Sequence, residues 1–286
     1  MLRIVRFSAL LLATAACLHA AGPQTTLSDL VIQLRAQAKT FEGSSGMQSG
    51  FRGFTAKFAL QPGVVSYSDY AIARLLFEAT RDAGFWNLHW RITNLPPNSD
   101  AIWSQWTALG APSALLPTAS AECDELSALY AFLVGRAGIH GVGLLWPTSN
   151  HTVATWVLRQ KTGAVRVVIP TTQIFLDEDD YWGTPKFDPW RQKSIYEYTR
   201  HDVPDSFELP APLVAFFLQQ SAKYARASDS TLQILRYWRE AVFLRSWTPE
   251  AAAKEALRVR RNRGSAPPED LAALENFAQD MQPQRR

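Results

Sequence analysis

Cys123 and His151 are the residues of this chain whose types and order could do covalent chemistry. Cys123 stands in "AECDELSALYAFLVGRAGI" (121–139), and the only other cysteine is Cys17 near the N-terminus. Ser120 suits a helix N-cap, acids fill the following turn, and Leu126, Leu129, Tyr130 and Leu133 recur at helical spacing. Cys123 therefore falls in the first turn of a helix that Gly138 ends. A helix N-terminus turns unpaired N–H groups and partial positive charge toward the sulfur, which lowers the thiol's pKa and offers donors to an oxyanion. His151 opens "HTVATWVLRQ" (151–160), and a histidine on an adjacent strand can take the thiol proton and return it to a leaving amine. A third polar group must then fix the ring's tautomer. Against this stands the commonest use of a lone cysteine, burial as a small apolar residue, and the count leaves both readings open.

The surrounding pattern is mixed. "TLSDLVIQLRAQAKTF" (26–41) has helical periodicity behind a Ser/Asp start, and "EGSSGMQSGFRG" (42–53) has the glycines and serines of a flexible loop. A helix follows from Ser68 or Asp69, burying Ile72, Leu75, Leu76 and Ala79 and stopping at Gly84. "FWNLHWRIT" (85–93) alternates as a half-buried strand with Trp86, Leu88, Trp90 and Ile92 on one face. Ser99 or Asp100 caps a short helix carrying Trp103 and Trp106. Three strands follow the cysteine helix, in "IHGVGLLW" (139–146), "HTVATWVLRQ" and "AVRVVIPTTQIFL" (164–176); "KTG" (161–163) turns the last two into an antiparallel hairpin. Residues 177–210 are aromatic, acidic and proline-containing, the composition of a long packed loop. From 211 onward the pattern is helical, with Thr248, Pro249 and Glu250 opening one helix.

These segments resemble the transglutaminase-like cysteine enzymes over about residues 118 to 173. "AECDELSALYAFLVGRAGI" is similar to the family's nucleophile helix with its closing Arg-x-x-Gly-Ile. "NHTVATWVL" resembles its His-x-Trp strand, with the tryptophan displaced to Trp156, and "VRVVIPTT" the next strand, which ordinarily ends in Asp-Pro-Thr. The resemblance implies a papain-like α+β fold, an antiparallel sheet packed on the cysteine-bearing helix, with a helical C-terminal segment. It also implies a Cys-His-Asp triad acting on amides, in which Cys123 matches the nucleophile and His151 the base. At the acid's position stands Ile169, which cannot accept a hydrogen bond from an imidazole. The hairpin places Thr172 about opposite His151, so Thr172 or Gln173 is the expected ring-orienting group. Two functions follow: an exported thiol-dependent enzyme acting on an amide or peptide bond, or a catalytically silent module of the same family that binds in the cell envelope. They separate on whether a side-chain acceptor reaches His151 on the side away from the sulfur.

The chain's 286 residues and 47% hydrophobic content suit one large domain with an appendage. A net charge of +3, concentrated in "RVRRNR" (258–263) and the terminal "QRR", leaves no basic stripe for nucleic acid; the family resemblance implies a peptide or protein amide as the partner. Residues 1–21 have the charged start, short apolar run and small-residue end of a signal peptide, predicting a periplasmic or secreted protein. A membrane anchor is expected only if Cys17 is lipidated. The division expected is 1–21 signal, 22–67 helix and loop, 68–210 core, and 211–286 helical segment with a basic tail. No cofactor or metal is expected: "DEDD" (177–180) lacks the alternating acids and glycine of a calcium loop, and "GSSGMQSG" (43–50) lacks the lysine of a phosphate loop. His89 and His140 on strands, and His201 in the loop, are the other histidines. His201 is set aside because it and Asp202 are adjacent on extended chain and point apart.

Overall fold

A computed structural model describes residues 25–81, 85–108, 115–149, 151–172 and 182–226, and these form an α+β fold with small sheets. The expected signal segment with Cys17, the expected helix stop at Gly84, the acidic run 177–180, Gln173 and everything after 226 lie outside the described residues. Strand β1 (Thr25–Thr26) leads into helix α1 (Leu27–Glu42) through a capping box, in which Thr26 Oγ1 accepts from the Asp29 N–H and Asp29 accepts from the Thr26 N–H, each at 3.1 Å. Leu27, Leu30, Leu34, Ala38 and Phe41 make its buried stripe.

The Gly/Ser segment is a helix, not a loop. Helix α2 (Ser45–Lys57) contains Gly46, Gly50 and Gly53, each costly in a helix interior. Met47, Phe51, Phe54 and Phe58 supply the offsetting burial at helical spacing, and Phe54 and Phe51 lie against Tyr70 with ring centroids 5.1 and 5.3 Å apart. Helix α3 (Tyr67–Thr80) starts slightly earlier than expected, because Ser66 Oγ accepts from the Asp69 N–H at 3.0 Å.

Strand β2 (Leu88–Trp90) is a fraction of the expected run: Asn87 at φ +51° interrupts extension, and Ile92, expected inside, is 60% exposed. Helix α4 (Asp100–Thr107) buries Trp103 and Trp106, and strand β3 (Ala119–Ala121) pairs in parallel with β2, setting Ser120 opposite His89. Ser120 is therefore not the N-cap of helix α5 (Cys123–Arg136); Glu122 is. Strands β4 (Val142–Thr148), β5 (His151–Gln160) and β6 (Gly163–Ile169) form an antiparallel sheet in that order. A two-residue turn closes β5 onto β6, with Gln160 opposite Gly163, whose φ of +128° only glycine tolerates well. Ala154, Trp156, Leu158, Val167 and Ile169 face the main core, while Leu145, Val153 and Val168 face a smaller cluster with Phe187.

Residues 182–207 have little regular structure, as expected, yet they are tied down. Glu197 bridges Gly143, where a Cβ would collide with the Tyr196 carbonyl, and the Arg166 guanidinium donates to the carbonyls of Pro189, Gln192 and Lys193. Strand β7 (Glu208–Leu209) pairs with β1, and helix α6 (Ala211–Arg226) sends Leu213, Val214 and Phe217 into the main core. Phe217 stacks on Trp86 at 4.1 Å. The helices before 67 and after 210 thus share the core of the segment between them.

Candidate functional site

Cys123 is the first residue of α5, 4% exposed and free of any disulfide. The first turn is crowded with acids. Glu125 accepts from the Glu122 N–H at 3.1 Å, and Glu122 accepts from the Asn94 N–H at 2.9 Å. Thr93 Oγ1 lies against the carboxylates of both Glu122 and Glu125. Burial holds the Glu125 and Asp124 carboxyls above their usual range, opposed by hydroxyl hydrogen bonds from Thr93 and Thr152 respectively. The expected lowering of the thiol pKa does not win. Burial pushes Cys123 up to about 11; the N–H groups of Thr152 and Asp124 pull it down, and the Asp124 and Glu122 carboxylates push it further up.

Thr152 joins the helix to the sheet. Its N–H lies at the Cys123 sulfur, its hydroxyl donates to Asp124, and its carbonyl accepts from Ser127 Oγ at 3.1 Å. Since Ser127 uses its proton on Thr152, Thr171 donates to Ser127 across 2.9 Å. Side chains alternate along β5, so with Thr152 turned toward α5, His151 shares the face of Val153. Its ring lies 5.4 Å from that of Phe187, and it is 4% exposed. Burial pushes the imidazole down to about 4, and the Lys186 charge acts in the same direction. His151 Nδ1 has no hydrogen-bond partner among the described residues.

The β5–β6 ladder ends at the pair Ala154 with Ile169, three residues short of His151 and Thr172. Thr172 is 1% exposed, and its Oγ1, like His151 Nδ1, has no hydrogen-bond partner among the described residues, so no hydrogen bond joins the two. Ile169 is fully buried in the main core, on the sheet face opposite to that of His151. His140 precedes β4 rather than lying within it and meets Glu197 at 3.1 Å; His201 contacts Arg136; His89 is on β2. No cluster of three His, Cys, Asp or Glu able to hold a metal occurs among the described residues, and no helix there is long and apolar enough to cross a membrane.

Thr152, Asp124 and Ser127 are the residues that sequence reasoning passed over. Their signal was available: Asp124 and Ser127 lie one turn apart on α5, and Thr152 is the strand's first residue turned toward the helix. Comparison of the chain with protein-family models, with curated proteins and with solved structures gave no match.

Proposed function

We propose that the chain is a transglutaminase-like module with a papain-like core, exported to the cell envelope, that is silent toward amides and acts by binding a peptide or protein partner. One observation carries this reading: Cys123 and His151 are both buried, and burial disfavours the charged form of each, pushing the thiol up to about 11 and the imidazole down to about 4. Burial therefore opposes both the thiolate and the imidazolium that transfer of the thiol proton to the ring would create. A cysteine nucleophile needs the thiolate, so this cost falls on any attack at a carbonyl.

The second reading is a thiol-dependent enzyme acting on an amide or peptide bond, with Cys123 as nucleophile, its backbone N–H in the oxyanion hole, His151 as general acid/base and Thr172 orienting the ring. A specific observation favours it. His151 Nδ1 and Thr172 Oγ1 are two buried groups without partners among the described residues. Each costs about 1–3 kcal/mol, and a native structure that retains such groups calls for a functional explanation. Neither reading calls for a metal or cofactor.

Iodoacetamide labelling of the purified exported protein, together with ammonia release from a glutamine-containing peptide, separates the two. The silent module labels no faster than free cysteine, is unchanged by His151→Ala and releases no ammonia. Rapid labelling at neutral pH that His151→Ala slows, with ammonia release abolished in Cys123→Ala, would establish the enzyme instead.

A further inference from the structure

Strand β5 outruns its neighbour β4. The last ladder pair between them is Val142 with Trp156, followed by one bond from the Val157 N–H to the Gly141 carbonyl at 2.8 Å. There the chain leaves, at Gly141 with φ +82°, where a Cβ would stand 2.6 Å from the Val157 carbonyl oxygen. On its other side β5 stays paired with β6 as far as Gln160 and Gly163. In a hairpin closed by two residues, Gln160, Leu158 and Trp156 direct their backbone groups to β6, so those of Val157 and Arg159 point the other way. Gly141 meets the N–H of Val157. The N–H and C=O of Arg159 open into a groove of about 400 Å³ and bond no described residue.

The groove has an apolar wall, Val64 and Val65, on the main-core side of the sheet, with Ile195 on the other side against the smaller cluster, and it carries opposite charges at Asp69 and Arg159. A second acid there, Glu197, is already engaged by His140. A strand edge that offers one donor and one acceptor, beside an apolar wall with a charge of each sign, matches the main chain of another peptide better than it matches a compact small molecule.

We propose that this groove takes an extended peptide segment, which adds to β5 through the N–H and C=O of Arg159, lays apolar side chains on Val64 and Val65, and presents a basic residue to Asp69 and an acidic one to Arg159. This rests on the binding reading and deepens it by naming the partner's class. The site lies eight residues along β5 from His151, about 26 Å at ~3.3 Å per residue. Peptide binding there is therefore read independently of the thiol.

The test is fluorescence anisotropy of the full-length exported chain with a fluorescein-labelled Lys-Val-Thr-Val-Glu amide, and with the same peptide N-methylated at its three inner residues. Arg159→Ala keeps the backbone donor, whereas Arg159→Pro removes it without touching a β6 bond. Saturable binding is expected, falling at least tenfold on N-methylation and in Arg159→Pro, and less than that in Arg159→Ala. If Arg159→Pro fails to fold, the N-methylated peptide and Val64→Asp, which sets a charge on the apolar wall, carry the test alone. No binding by the parent chain, or equal binding of the methylated peptide, overturns the proposal, as does dimerisation through this edge that Arg159→Pro abolishes. A reactive thiol would overturn the silent reading and leave the groove standing; an inert thiol with no peptide binding would remove only the groove.

Discussion

At the residue scale, function turns on which neighbours a side chain meets, and a strand decides this by parity. Thr152 faces α5 and His151 faces Phe187, so the two residues that open one strand have different surroundings. The buried imidazole sets a pH dependence. Its pKa is about 4 in the folded chain against the ordinary 6.5 of an exposed histidine, so below 6.5 the unfolded chain takes up a proton that the folded chain refuses. Stability is lost as pH falls from 6.5 toward 4, by on the order of 3 kcal/mol. His151→Phe, which keeps an aromatic ring beside Phe187, should remove this component; urea midpoints of parent and variant at pH 7 and 4.5 check it, and identical pH slopes would refute it. Ile169→Asp, which supplies the acid found at this position in the enzymes the segment resembles, places a carboxylate in the main core, on the sheet face opposite to that of His151. It should destabilise by about 3 kcal/mol or more without speeding Cys123 alkylation, as a melting curve and a labelling rate will show. The cysteine's position at the start of a helix was legible in the sequence; its pKa was not. A helix N-terminus can be read from a capping pattern, but burial at the junction of α5, β5 and the acidic first turn is a tertiary fact.

At the element scale, the sheet was legible and the second helix was not. Alternation through β4, β5 and β6 and the turn at 161–163 specify a hairpin whose register runs from Gln160 and Gly163 to Ala154 and Ile169. In α2, three glycines hide a stripe of Met47, Phe51, Phe54 and Phe58 that becomes informative once Tyr70 stands opposite. The glycines differ in kind. A Cβ at Gly53 meets nothing within 4 Å, whereas at Gly50 it would stand 2.9 Å from Tyr70 Oη. Gly53→Ala should therefore stabilise by about 0.5–1 kcal/mol. Gly50→Ala should show no gain unless combined with Tyr70→Phe, and denaturant titration of these variants beside the parent decides. In β2, by contrast, alternation over-predicted the strand, because a left-handed Asn87 ends what the aromatic pattern continues.

At the scale of the whole molecule, the expected division at 67 and 210 does not correspond to separate cores. α1 and α6 bury Leu30, Leu34, Leu213 and Phe217 in the cluster that also holds Trp86 and Leu129, and β1 pairs with β7. No local pattern carries that information, since amphipathic helices at both ends of a chain read alike whether they pack on the middle or on each other. A fragment of residues 68–210 should lack cooperative unfolding and a near-ultraviolet dichroism spectrum, while the full chain shows both. A sharp thermal transition in the fragment would mean that its core is self-sufficient.

The most direct test of the silent site is the pH dependence of Cys123 alkylation by iodoacetamide in the folded protein. With the thiol at about 11 and no ion pair, the rate should climb close to tenfold per pH unit from about pH 7 to 10, level near 11, and be the same in His151→Ala. A rate already on a plateau at neutral pH, lost in His151→Ala, would show a thiolate–imidazolium pair and contradict the account.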